Sequence, residues 1–387
     1  VTLFVFKSSP IFADSSARDL HQPVCPGENK GDFRCHARVI TDSKGNPKIT
    51  TTPSGYGPQQ FRSAYNLSGI TSTNQTIAIV DAYDQPYILS DLNKYSSQFG
   101  IPQMQSCPVS TGTTLQPCFQ KVSQNGDSRF PGVNAGWALE TSLDVEAAHA
   151  ICQNCNILLV EAYSNSYADL MKAVDQAHAV GATVISNSYG SQEFSGETSF
   201  DSHFNLPGTA ITFSSGDSGY GAGYPASSPF VTAVGGTTLN LSGNTYVSET
   251  VWNGSGSGCS LYETTKPVGQ PVVAGCTNRI VADVSADADP NTGAAVYDSV
   301  RYQGRKGWFK VGGTSLSSPL IAGVYALSGN TTGYANSLPY SLGSYSTNLR
   351  DVINGSTFGC DGTFLCKATV NYDGPTGVGT PFGFSAF

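Results

Sequence analysis

Residues 156–186 read NILLVEAYSNSYADLMKAVDQAHAVGATVIS. The first six (156–161) are an apolar run of strand length, 168–180 have the length and spacing of a helix, and 182–186 are a second apolar run. A strand, a helix of ten or more residues and another strand make a βαβ unit, whose crossover joins parallel strands. The pattern extends in both directions. Upstream, 76–80 read as a strand and 87–99 and 137–150 as helices; downstream, 210–214 and 231–234 read as strands and 315–327 as a helix. The expectation is an α/β fold, a parallel twisted β-sheet flanked by helices on both faces. Ligands of such sheets bind beyond the carboxyl ends of the strands. The segments 81–84, 186–190 and 215–219 are therefore the places to look for chemistry.

Residues 1–55 lack this texture and read as an extended N-terminal arm pinned by Cys25–Cys35; 56–387 read as one domain, with no internal repeat. Residues 1–6 are apolar but too short to span a membrane, as is every other apolar run, and fit a leader remnant. Charged residues make up only 12% of the chain, against about 25% in ordinary globular proteins, and the net charge is −8. No basic run or stripe is present, which argues against a nucleic-acid partner. The ten cysteines fall into five close pairs: Cys25/Cys35, Cys107/Cys118, Cys152/Cys155, Cys259/Cys276 and Cys360/Cys366. Five disulfides made in an oxidising, extracellular compartment are expected. The rival for Cys152 and Cys155 is a metal site, but no second CxxC or paired histidine accompanies them. Six Asn-x-Ser/Thr sequons, including Asn74, permit glycosylation without deciding anything.

Residues 311–319 read VGGTSLSSP and lead into an apolar helix. Gly312 and Gly313 allow a tight turn, and Ser315 then stands at a helix N-terminus, where free amides and the dipole favour a developing negative charge. Taken alone, Ser315 reads more readily as a plain N-capping serine than as a nucleophile. A nucleophile also needs a base. Of the five histidines, His149 on the 137–150 helix is the best placed; His21, His36 and His203 have no supporting context, and His178 reads as part of an amphipathic helix. The same helix carries Glu140 and Asp144, four residues apart and about 40° apart on one face, whereas His149 lies about 140° beyond Asp144. Two carboxyls set side by side among Ala, Leu and Val can share a proton; a solvated acidic face is the plainer alternative.

The segment around Ser315 resembles the nucleophile segment of the subtilisin superfamily, and AITFSSGDSG at 210–219 resembles its oxyanion-hole loop. With WALETSLDVE at 137–146 the resemblance narrows to the sedolisins, the serine-carboxyl peptidases, over residues 55–387. It implies a subtilisin-like fold and a secreted, acid-acting endopeptidase. In that reading Ser315 is the nucleophile, Glu140 takes and returns its proton, Asp144 hydrogen-bonds Glu140, and protonated Asp217 donates to the oxyanion. Asp81 extends the carboxyl chain, with Tyr189 as a bridge. The resemblance further implies one calcium ion held by Asp351, Asp373 and the carbonyls of Val352, Thr369 and Asn371, although sedolisins carry glycines at the last two places. It implies polypeptide substrates, a monomer, and an N-terminal pro-segment that has been removed, so the chain is expected to be the mature form. Two other readings stay open: a Ser-His-Asp subtilase built on Asp81, His149 and Ser315, and a non-catalytic secreted binding protein on the same scaffold.

Overall fold

A computed structural model describes residues 19–387 except 26, 28–30, 72–74, 108–116, 331 and 344–345. The apolar run at 1–6 and the sequon at Asn74 lie outside the described residues.

Three short strands come first, β1 (Leu20–Pro23), β2 (Arg34–Cys35) and β3 (Arg38–Thr41), followed by α1 (Pro58–Ala64). Next are β4 (Thr76–Ala82), α2 (Ile88–Phe99), β5 (Gln105–Ser106), β6 (Cys118–Ser123) and α3 (Ala135–Ile151). Then come β7 (Asn156–Ala162), α4 (Tyr167–Ala179), β8 (Val184–Asn187) and β9 (Tyr189–Gln192). They are followed by β10 (Ala210–Ser214), β11 (Gly223–Tyr224), β12 (Thr232–Ser242) and β13 (Thr245–Val251). Next are β14 (Gly258–Cys259), β15 (Ile280–Val281), β16 (Val284–Asp287), β17 (Ala294–Tyr302), β18 (Arg305–Gly312) and α5 (Thr314–Ser328), before α6 (Leu338–Leu342) and a short antiparallel pair, β19 (Leu349–Arg350) and β20 (Thr380–Pro381).

The central sheet has nine strands in the order β13-β12-β10-β8-β4-β7-β6-β5, with β16 also on β12. All its pairings are parallel except the β12–β13 hairpin. The βαβ unit at 156–186 lies near its centre, and β4 sits between β7 and β8 with Asp81 opposite Glu161. The strand expected at 231–234 continues to Ser242, because the polar Thr and Asn of its second half alternate with buried Leu239 against β13.

All five expected cysteine pairs are disulfides: Cys25–Cys35, Cys107–Cys118, Cys152–Cys155, Cys259–Cys276 and Cys360–Cys366. The metal alternative for Cys152 and Cys155 falls away, since neither keeps a thiol to offer an ion. Both are fully buried in the turn that joins α3 to β7, where the Cys155 amide donates to the Cys152 carbonyl at 3.2 Å. Cys155 is therefore a structural residue that closes this turn, with no chemistry of its own.

Helices α3 and α5 are buried around their whole circumference and pack on each other and on the sheet. A helix buried on every side is a core helix. Close approach depends on Gly323 of α5, where a Cβ would stand 2.5 Å from Cβ of Ile151. The Asn134 side chain caps α3 by accepting the amides of Gly136 and Trp137. The described residues of 20–41 are not a free arm. β1 pairs with β3, β3 with β18, and β2 with β9, so this stretch crosses the carboxyl ends of the central strands.

Candidate active site

Burial in α3 gives Glu140 and Asp144 their character. Both are fully buried, as is Asp81 at the end of β4. Glu140 Oε1 and both oxygens of Asp81 and Asp144 accept no well-formed hydrogen bond. An ionised carboxylate in such a place is costly, and protons shared among the three relieve it. Burial, with Thr141 acting in the opposite sense, pushes Asp81 up to about 7. Burial and then the Asp81 charge push Glu140 well above the ordinary range, partly offset by the Ser315 hydroxyl. Burial, Asp81 and then Glu140 do the same to Asp144, with the Ser188 hydroxyl offsetting. Asp144 was expected to hydrogen-bond Glu140, with Asp81 as an outlying extension. Instead Asp81 is the stronger electrostatic neighbour of both.

Ser315 is the second residue of α5, two past Gly313, whose φ of 96° is left-handed and suits glycine. Its hydroxyl donates to the Ser188 carbonyl at 3.2 Å, and the Ser188 hydroxyl donates back to the Ser315 carbonyl at 3.3 Å. Asp217 follows β10. Its Oδ1 accepts the amide and hydroxyl of Thr314 at 2.8 and 3.0 Å. Its Oδ2 is buried without a partner, 2.7 Å from where a Cβ on Gly313 would stand. Burial raises Asp217 to about 6, against the pull of Arg38 and the Thr314 donors. Beside it opens a cavity of about 640 Å³, lined by Gly190, Ser214, Asp217, Tyr220, Gly256 and His36.

Ser315, Glu140, Asp144 and Asp81 thus form one buried group, with Asp217 joined to it through Thr314. Two expected members do not join. The ring of His149 donates Nε2–H to the Pro102 carbonyl at 2.8 Å, in the packing beyond α2, which leaves it no role as a base for Ser315. The Tyr189 hydroxyl donates to Asn187 Oδ1 at 2.9 Å, so it does not bridge carboxyls, although its ring lies near Asp81. The sequence reading overlooked residues 34–38. The Ala37 amide donates to Glu140 Oε2 at 3.1 Å, and His36 Nδ1 lies 2.7 Å from Ser214 Oγ. Among the residues that touch Ser315, Ser188 lay in the flagged segment 186–190.

Toward the C-terminus, Asp351 Oδ2 accepts the Asn371 amide at 2.8 Å. Asp373 Oδ2 accepts the Thr369 amide at 3.0 Å, and its Oδ1 accepts the Thr376 amide and hydroxyl at 2.9 and 2.8 Å. Asp351 Oδ1 is buried with no partner. Asn371 has φ 70°, the left-handed backbone that glycine would supply and asparagine tolerates. Val352 is buried against Val251 and Ala368. An orphaned carboxylate oxygen beside a second carboxylate fits a hard cation.

Residues 133–354 match the Subtilase family. Sedolisin of Pseudomonas sp. (strain 101) is 30% identical over 85% of this chain and 60% of its own length. Kumamolisin of Bacillus sp. (strain MN-32) is 28% identical over 86% of this chain and 63% of its own length. Xanthomonalisin of Xanthomonas sp. (strain T-22) is 27% identical over 84% and 45%. The chain thus spans 45 to 63% of the length of these relatives. The solved structure of Pseudomonas sedolisin complexed with pseudo-iodotyrostatin superposes with a TM-score of 0.71 at 28% identity, covering 86% of this chain and 96% of that one.

Proposed function

This chain belongs to the subtilase family and within it is similar to the sedolisins, and from that premise we propose that it is a secreted, acid-acting serine-carboxyl endopeptidase. The observation that carries the reading is the company Ser315 keeps: buried carboxyls with raised pKa stand where a base is needed, while His149 is tied to Pro102.

Ser315 Oγ attacks the substrate carbonyl as its proton passes to Glu140. Glu140 then protonates the departing amine, and an acyl ester remains on Ser315 until water, deprotonated by Glu140, hydrolyses it. Asp81 and Asp144 share protons with Glu140, so the group titrates as a unit, and the reaction requires the form in which the group has lost one proton and Glu140 is the member left as a carboxylate. Asp217, with one oxygen fixed by Thr314, is neutral below about 6 and then donates from its other oxygen to the oxyanion. As pH rises through that value the donor becomes a carboxylate that repels the oxyanion, which gives activity its alkaline limb.

Asp351 and Asp373, with the carbonyls of Val352, Thr369 and Asn371, would hold one calcium ion, which ties the C-terminal loops together when bound. Five disulfides support an extracellular setting. Hydrolysis of a denatured protein followed from pH 2.5 to 9 tests the assignment. An optimum below pH 6 is expected; a neutral or alkaline optimum abolished by a histidine-directed reagent would select a histidine-based subtilase.

A further inference from the structure

Glu193, Tyr224, Cys259 and Leu261 also line the cavity beside Asp217. Leu261 belongs to the loop between β14 and β15, which the Cys259–Cys276 disulfide closes. This loop has little apolar anchorage, since its Leu261, Val268 and Val272 are 73, 79 and 84% exposed. Its far side is held by Gln270, whose side-chain amide donates to the Ile280 carbonyl and to Asp283. Its near side, residues 260–263, bonds the Arg279 backbone and the Asn278 side chain, and meets the rest of the cavity wall through carboxyls. Glu193, just past β9, accepts the Ser260 hydroxyl and, at 2.9 Å, the Leu261 amide.

Three more carboxyls complete the group. Glu263, on the loop, is buried against the carboxyl of Asp201, and its Oε1 has no donor. Glu197 is fully buried against the carboxyl of Glu193. Its Oε2 accepts the Phe194 amide at 2.7 Å and its Oε1 the Ser227 hydroxyl at 3.2 Å. Asp201 Oδ1 accepts the Tyr224 hydroxyl at 3.1 Å, and Glu197 and Asp201 share one short 3-10 helix, Glu197–His203. The cation facing the group is Arg279, whose terminal nitrogens are both bound to Asp283. Lys266 of the loop donates to the Pro271 and Cys276 carbonyls, and His203 is paired with Asp175. Two touching carboxyls bond only if one carries a proton. Burial pushes Glu197 and Glu263 up to about 8, with neighbouring carboxyls adding to it, and burial raises Asp201 as well.

We propose that Glu193, Glu197, Asp201 and Glu263 are positioning residues for the substrate cavity: joined by shared protons in acid, they seat residues 260–263 as part of its wall, and their ionisation lets that wall go. The proposal rests on the peptidase reading above for the cavity's role. Its sign follows from linkage. With the loop released, these carboxyls ionise in the ordinary range near 4.5; with it seated, Glu197 and Glu263 hold their protons to about 8. The seated form is therefore favoured most below the ordinary range, and it loses ground steadily as pH rises from there toward 8. None of the four touches Ser315, so the effect falls on substrate binding and not on the chemical step.

The test is hydrogen exchange of the full chain between pH 4 and 7, corrected for intrinsic rates and read by peptide mass, beside KM and kcat for an internally quenched peptide. Exchange in residues 259–276 of the wild type should rise by about tenfold or more over this range, while α3 and α5 stay protected. KM should rise in step. Glu197→Gln and Glu263→Gln keep the shape and hydrogen bonding of the acid without its charge, so each should keep the loop protected at pH 7 and flatten the rise in KM with little change in kcat. Glu263→Ala should expose the loop at both pH values. Equal protection of residues 259–276 at pH 4 and 7 in the wild type, or glutamine variants that open as the wild type does, would overturn the proposal and leave the peptidase reading standing. The expected exchange pattern without hydrolysis at any pH would support the carboxyl clasp and overturn the peptidase reading alone.

Discussion

One carboxylate oxygen of Asp217 accepts both the amide and the hydroxyl of Thr314, the residue before Ser315, at 2.8 and 3.0 Å. The helix that presents the candidate nucleophile therefore also orients the acid, leaving its second oxygen free beside Gly313. An acid in this position donates only when protonated.

Asp217→Asn supplies a donor that does not titrate. With Asp217 near 6, the donating form is full well below that value and is lost as pH rises through it. The alkaline limb of kcat/KM should therefore move upward in Asp217→Asn, even if the maximum rate falls. A limb that stays in place in the mutant, with full activity, would remove Asp217 from the oxyanion site.

Substitutions in the carboxyl cluster should divide by role. Glu140→Gln should lower kcat by roughly 10²–10⁴ with KM little changed, the usual contribution of a general acid–base. Asp81→Asn should perturb the pH profile at least as much as Asp144→Asn, because Asp81 is the stronger electrostatic neighbour of Glu140. His149→Ala should keep kcat within a few-fold while lowering stability by about 1–3 kcal/mol, as the Pro102 carbonyl loses its donor. Parallel kinetics and urea unfolding of the four variants check the pattern.

The positions of these residues were legible to different degrees. The parallel sheet and the shared face of Glu140 and Asp144 follow from local periodicity. The disulfides follow from short spacings, from the 3 residues of Cys152–Cys155 to the 17 of Cys259–Cys276. The β17–β18 hairpin gave no comparable signal, because its glycines, arginines and lysines dilute the alternation of buried residues. The course of residues 34–38 was not legible at all. It is set by backbone amides meeting Ser188, Gly190, Glu140 and β18 from more than 100 positions away, and every residue but proline has such an amide. Likewise the nearness of Asp81 to Glu140 and Asp144 depends on β4 packing against α3, which spacing along one helix cannot reveal.

Calcium at the C-terminal loops should act on stability before catalysis. Adding the ion to chelator-treated protein should raise Tm, since a ligand bound only by the native state stabilises it by mass action. Asp351→Asn and Asp373→Asn should each remove the rise. The effect should shrink in acid, where the ligating carboxylates must first lose protons. Calorimetry with and without the ion, in wild type and both variants, measures it; an unchanged Tm in wild type would argue against the site.

Arg279 is fully buried and paired with Asp283 through both terminal guanidinium nitrogens. Asp283 also accepts the Ala233 amide at 2.7 Å, which joins the pair to β12. Arg279→Met leaves a buried carboxylate without its cation and should cost about 3–5 kcal/mol in urea unfolding. A loss below about 1 kcal/mol would mean the other donors to Asp283 suffice.

The central claim is that Ser315 performs the chemistry with carboxyl partners in acid. Turnover of an internally quenched peptide at the acidic optimum, measured for wild type and Ser315→Ala at matched fold by circular dichroism, tests it most directly. The account predicts that Ser315→Ala is inactive, with its unfolding midpoint close to wild type. Activity above about one per cent of wild type, far more than the loss of an essential nucleophile allows, would contradict it.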